Sequence, residues 1–251
     1  MLKFINSTLS SFRESFTRAS TYKWFVTIVI GMMVRKDDLG VTSLIRALGL
    51  KPVYEALDRF FRSDAWKLQG LEQKWRSIVA TAAPLERYKG AAVLPGDGIK
   101  VSKEGRRMPG VKRLHQESDN SGKAANIMGQ MYGSVGVLAA AGGKTFCIPL
   151  ACELHDGVKE ILSWEEGEKV RQSSHTVEMI SLAHRMTDVF PGAIALLDRY
   201  FLTVPALKRL DACNAEGGGL KAIIMAKSNA VAYEEPRKTG KGVGRGSKVR
   251  Q

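Results

Sequence analysis

The hydrophobic pattern of the chain changes period near residue 91, and that change limits what it can fold into. Up to about Pro84 the apolar residues recur at helical spacing. From Ala91 they fall into short runs, "AAVLPGDGIKV" and then "NIMGQMYGSVGVLAAAGGKTFCIPLACEL". In the second run Val135 and Val137 on one arm, and Phe146, Ile148 and Leu150 on the other, alternate with the period of a strand. Gly142-Gly143 between the arms suits the positive φ angles of a tight hairpin turn.

Further along, "SSHTVEMISLAHRMTDVFPG" predicts a helix capped by Ser174, carrying Val177, Ile180, Ala183 and Met186, and stopped at Pro191-Gly192. "AIALLDRYF" predicts a buried strand that ends at Asp198. "TVPALKRLDAC" suits a short helix capped by Thr203, and "LKAIIMAKSN" a last strand. The expected order is a helical region, three strands, helix, strand, helix, strand. "EGGGLK" precedes a strand instead of opening a helix, so it reads as a turn and not a phosphate cradle.

In the helical region, Ser11 and Glu14 have the spacing of a capping box at a helix start. Residues 42–62, "TSLIRALGLKPVYEALDRFFR", outline two short helices broken at Gly49, with Pro52 at the first position of the second. Val53, Leu57 and Phe60 or Phe61 form one stripe, which leaves Arg59 and Arg62 for solvent or phosphate. A DNA-binding helix-turn-helix and an ordinary helical hairpin with solvated arginines both fit. Trp66 and Trp75 read as core.

Lys and Arg number 38 against 25 Asp and Glu, a formal charge of +13, which points to polyanions, nucleic acid or anionic lipid, as partners. The most apolar window, Trp24 to Val34, is eleven residues long. A bilayer takes about 20, so a buried core helix and no membrane association are expected. With no signal-peptide pattern and three cysteines that form no CxxC pair, the expected compartment is the cytoplasm, with buried thiols. Cys147, Cys152 and His155 do not suit zinc, because a strand sends alternate residues to opposite faces. His115, His155, His175 and His184 show no metal spacing and read as surface or cap residues.

An Asp stands at or just past an apolar strand twice, Asp97 in "VLPGDG" and Asp198 in "ALLDRYF". If the two strands are sheet neighbours, the acids meet. Two carboxylates brought together repel, a bound divalent cation removes the repulsion, and hard oxygen ligands select Mg²⁺ or Mn²⁺. Such ions activate a nucleophile and stabilise a leaving oxygen at phosphorus.

With these segments in place, the chain resembles the DDE transposases of bacterial insertion sequences. The likeness runs through "FVTIVIGMMVRKDDLGVTSLIRALGL", "DGIKVSKEGRRMPGVKRLHQESDNSGKAANIMGQMYGSVGVL", "IPLACELHDG" and "IALLDRYFL". The resemblance implies an α+β fold: a helical DNA-binding domain at 1–88, a partial ribonuclease H-like mixed sheet flanked by helices at 89–235, and a basic tail at 236–251. It implies that Asp97 and Asp198 are the first two catalytic, metal-ligating acids. It also implies that Lys103, Arg106, Arg107, Lys112 and Arg113 lie in a loop that meets DNA phosphates. The third acid of such enzymes, a Glu on a later helix, has no match here; Glu234 and Glu235 stand too close to the last strand. On the sequence, the chain therefore reads as C-terminally truncated.

The expected function is transposition by metal-dependent phosphodiester hydrolysis and strand transfer, weak or absent in this polypeptide alone. The expected partners are the element's terminal inverted repeats, target DNA and further copies of the chain, in a nucleoid-associated setting. The alternative is a non-catalytic DNA-binding fragment that holds element ends or inhibits a full-length relative. A third class, a general binder of anionic surfaces, would show no preference for end sequences.

Overall fold

The computed structural model describes residues 2–36, 40, 42–50, 54–105, 108, 110–115, 124–155, 174–226 and 231. The chain divides into two compact units, 1–83 and 84–251.

The first unit is helical: α1 (Leu2–Ser11), α2 (Ala19–Val34), α3 (Thr42–Ala47), α4 (Tyr54–Phe61) and α5 (Leu68–Ala82). Its core gathers Phe12, Phe16, Ile28, Leu44, Ile45, Leu57 and Phe60, with Trp66 and Trp75 partly buried against them. Aromatic packing closes it. The Phe16 and Phe25 ring centres are 5.1 Å apart, and Trp66 stacks on Phe60 while its indole N–H donates to the Phe60 carbonyl at 3.0 Å.

Two expectations are corrected in this unit. Ser11 ends α1 and does not cap a new helix, because its hydroxyl donates back to the Thr8 carbonyl at 2.6 Å. Helix α2 is not buried throughout: Ile28 and Gly31 face the core, whereas Met32, Met33 and Val34 are exposed. Its length is 16 residues, and no described helix is long and apolar enough to cross a membrane. Gly49 takes the left-handed φ of +62° after α3, and on α4 the buried pair is Leu57 and Phe60. Pro52 and Val53 lie outside the described residues.

The second unit is a seven-stranded mixed sheet with helices. Its elements are β1 (Arg87–Tyr88), β2 (Ala91–Ser102), β3 (Lys112–His115), β4 (Asn126–Ala141), β5 (Lys144–His155), α6 (His175–Arg185), β6 (Ile194–Leu197), α7 (Val204–Glu216) and β7 (Lys221–Ile224). The order is β3-β4-β2-β6-β7, with β1 also on β2 and β5 also on β4. Pairs among β1 to β5 are antiparallel, while β2–β6 and β6–β7 are parallel. Parallel neighbours need a crossover, and α7 supplies the one between β6 and β7.

Local chemistry accounts for these elements. Ala141 pairs with Lys144 around Gly142 and Gly143, at φ +59° and +73°, so the β4–β5 hairpin turns in two residues with both φ angles positive. The Ser174 hydroxyl accepts from the Val177 amide and caps α6, and Thr203 accepts from the Ala206 amide and caps α7. The fully buried Leu94, Val135, Val137, Met179, Ile180 and Leu182 form the core under α6.

The structure adds β1 and β3 to the expected strands. It also breaks the alternation of β5: a register shift between Val135 and Gly136 makes Leu150 the extra residue of the strand, and Phe146 is exposed although it pairs opposite the buried Ala139. Cys147 and Cys152 are exposed as well, contrary to the expectation of buried thiols; Cys213 is buried.

Candidate functional site

Strands β2 and β6 run parallel, with Val93 opposite Ile194, Leu94 opposite Ala195, Pro95 opposite Leu196 and Gly96 opposite Leu197. The next residue on each is an acid, Asp97 on β2 and Asp198 past the end of β6. Burial of Leu94, Ala195 and Leu197 fixes the register, and so fixes where the acids emerge. Both are exposed.

Each carboxylate is held at one oxygen by a nearby amide. Asp97 Oδ1 accepts from the Gly98 N–H at 2.7 Å, and Asp198 Oδ1 accepts from the Tyr200 N–H at 2.9 Å, where it caps the short 3₁₀ turn Arg199–Phe201. Among the described residues the second oxygen of each accepts no hydrogen bond. The pair opens on a cavity of about 90 Å³, which Lys100, His175, Tyr200 and Phe201 also line.

Behind the acids lies a feature that the sequence did not predict. Gly98 on β2 faces Gly133 on β4 across the sheet, and their missing side chains leave a slot. A Cβ on Gly98 would stand 2.7 Å from His175 Nε2, and one on Gly133 would run into the His155 ring. The two imidazoles fill this space, 2% and 6% exposed, with Nδ1 of His155 and Nδ1 of His175 2.5 Å apart. At that contact one ring nitrogen donates and the other accepts. His175 also packs against Phe201, ring centres 5.4 Å apart. The expectation that these histidines are surface or cap residues is corrected as to the surface, since both are buried, while His175 does open α6 directly after its cap Ser174. Glycines inside strands, which often mark a close approach of neighbouring groups, were the available signal.

The basic residues are scattered. Lys103 follows β2, and its amide donates to the Met128 carbonyl at 2.9 Å. Lys112 and Arg113 lie on β3, paired with Gly129 and Met128 of β4, and not in a loop. The reason is that "KRLH" buries Leu114 and completes a ladder. Arg106, Arg107, Glu234, Glu235 and the basic tail lie outside the described residues. Arg59 on α4 and Arg62 just past its end belong to the first unit, exposed and paired four residues back with Glu55 at 3.7 Å and Asp58 at 3.0 Å.

Asp97 lies within β2, paired with Ser134, and not at a strand end as expected, whereas Asp198 stands just past β6; among the described residues each leaves one hard carboxylate oxygen without a hydrogen bond. That suits a small divalent cation that keeps several of its waters. Among the described residues no group of three or more His, Cys, Asp or Glu is placed to hold a metal. Cys147, Cys152 and His155 do not converge, since the thiols are exposed while the imidazole is buried against His175. No protein-family model, curated protein or solved structure matches the chain.

Proposed function

We propose that the second unit is a ribonuclease H-like domain of the DDE transposase type, acting on DNA by metal-dependent phosphodiester hydrolysis and strand transfer. The observation that carries this reading is the parallel pairing of β2 and β6, which sets Asp97 and Asp198 one residue past the paired Gly96 and Leu197. The formal charge of +13 supplies the attraction to DNA that an acidic site would otherwise oppose.

Asp97 and Asp198 would hold Mg²⁺ or Mn²⁺, which when bound supplies Lewis acidity at phosphorus and a more acidic attacking water. The chain's own part is positional. The Gly98 and Tyr200 amides each fix one carboxylate oxygen of residues that line the cavity. In hydrolysis the water oxygen bonds to phosphorus as the bond to O3′ breaks, leaving a 3′-hydroxyl and a 5′-phosphate. In strand transfer that 3′-hydroxyl attacks a target phosphodiester and displaces its 3′-oxygen.

A second reading, a non-catalytic module that holds element ends, is favoured by the absence of a third acid beside the pair among the described residues. Nicking of duplex DNA that carries the element's terminal repeats, in Mg²⁺ and in Mn²⁺, separates the two. The first reading expects at most weak cleavage by this polypeptide alone, which Asp97→Asn and Asp198→Asn each abolish. End-specific binding without cleavage supports the second.

A further inference from the structure

We propose that His155 and His175 form an acid-opened latch, which ties the end of β5 to the start of α6 and releases them when both rings are protonated. The inference goes beyond the reading just given and does not depend on metal or DNA at the acid pair.

The latch joins distant parts of the chain. His155 is the last residue of β5 and His175 the first of α6. Both are buried, in a slot that exists because Gly98 and Gly133 bring no side chains to it. Their Nδ1 atoms meet at 2.5 Å, with ring centres 4.7 Å apart. The rings of Phe201 and Tyr200 pack on His175, with centres 5.4 and 6.0 Å away.

This contact holds one proton and has no place for a second. Nδ1–H of one ring, neutral or imidazolium, donates to the bare Nδ1 of the other. With both rings protonated, two N–H donors face each other and two positive charges share a buried site. The rings already lie against the two glycines, so relief requires the end of β5 or the start of α6 to move.

The neighbouring charges set the pH of that event without making room for it. Lys100 of β2 lines the cavity with His175 and opposes further positive charge, whereas Asp97 and Asp198 line it too and favour it. On β5 Glu153 is ion-paired with Arg185 of α6, and Glu178 lies one turn along α6 from His175. Tyr200 is the titratable ring of the turn after Asp198, while β4 brings Met131 and Gly133, which do not titrate.

An open pair binds at least one more proton than a closed one, so acid favours opening. The stability that the latch gives is complete above the ordinary imidazole range near pH 6.5 and is lost as pH falls below it. The opening constant should rise about tenfold per pH unit for each extra proton. Opening also removes the packing behind the part of β2 that carries Asp97 and Gly98.

The test follows the four imidazoles of the full chain by nitrogen-15 NMR from pH 8 to pH 5, with His155→Gln and His175→Gln to assign the pair. Amide hydrogen exchange, corrected for its intrinsic pH dependence, is read in parallel. At pH 8 one ring of the pair should carry its proton on Nδ1 and the other on Nε2. Below about pH 6.5, residues 150–155 and 175–180 should lose protection by about tenfold or more per pH unit, while the β4–β5 hairpin tip and α7 keep theirs. Either variant should lack this acid response; if a variant does not fold, wild type decides alone. The proposal is overturned by matching tautomers in the two rings, or by both rings titrating near pH 6.5 with protection kept. It is also overturned by an acid loss of protection that spreads equally to the hairpin tip and α7, or that persists in a folded variant.

Discussion

Asp97 and Asp198 stand on neighbouring parallel strands, each one residue past the paired Gly96 and Leu197. The proposed function has this pair hold a divalent cation. Mn²⁺ should therefore raise the unfolding temperature of the protein, with a stabilisation of about 2.7 kcal/mol when the ion is at 100 times its dissociation constant. Without metal, Asp198→Asn should be no less stable than wild type, because the amide keeps the bond from the Tyr200 N–H and sheds the charge. Thermal unfolding with and without Mn²⁺ checks both; a stabilisation by Mn²⁺ that survives Asp198→Asn would place the ion elsewhere.

The two-glycine slot makes a sharper structural claim. Gly133→Ala drives a methyl group into the buried His155 ring, and the sheet gives it nowhere to go. Overpacking of this kind costs about 1–3 kcal/mol, and the upper end is expected here. Gly142→Asn at the hairpin tip, where a Cβ meets nothing and φ is +59°, should cost far less, since Asn tolerates the left-handed region. Urea denaturation of the two variants measures the contrast, and equal losses would contradict the slot.

Cys213 is fully buried on α7, and that burial pushes its thiol above the ordinary value, against the opposing pull of the Arg209 guanidinium. A raised folded value means that the folded state keeps its proton where the unfolded chain has released it. The resulting stability is intact below the unfolded thiol's range and is lost as pH rises through the folded value. Stability should fall more steeply between about pH 8 and pH 10 in wild type than in Cys213→Ala. In native protein iodoacetamide should modify Cys147 and Cys152 first, reaching Cys213 on unfolding.

Arg59 and Arg62 are paired with acids on their own helix and are exposed, so they hold little of the fold. Replacing both with Gln should change stability by no more than about 0.5 kcal/mol. If this helix meets DNA, the salt slope of binding falls by about 0.9 for each phosphate that the altered helix no longer neutralises. An unchanged slope assigns the segment to an ordinary helical hairpin.

Much of the sheet was legible because hydrophobic period and caps act locally. Ser174 and Thr203 marked the starts of α6 and α7, Gly142-Gly143 marked the hairpin, and the two apolar runs ending in Asp marked β2 and β6. What escaped depends on contacts between distant segments. Strand β3 has only four residues and exists because β4 offers it an edge, so "KRLH" reads as a charged loop when seen alone. The burial of His155 and His175 follows from Gly98 and Gly133 meeting across two strands, a pairing that spacing along the chain does not reveal. Phe146 is exposed although it pairs opposite the buried Ala139, and Leu150, buried, is the extra residue at the register shift between Val135 and Gly136, which simple alternation does not foresee.

The most direct test of the central claim is a calorimetric titration of Mn²⁺ into the full chain, beside Asp97→Asn, Asp198→Asn and, as a control in the first unit, Asp58→Asn. Wild type and the control should bind Mn²⁺ alike, while each substitution in the pair weakens binding about tenfold or more, as loss of a metal's supporting groups does. Binding that is equal in all four proteins would contradict the account and leave Asp97 and Asp198 with no metal to hold.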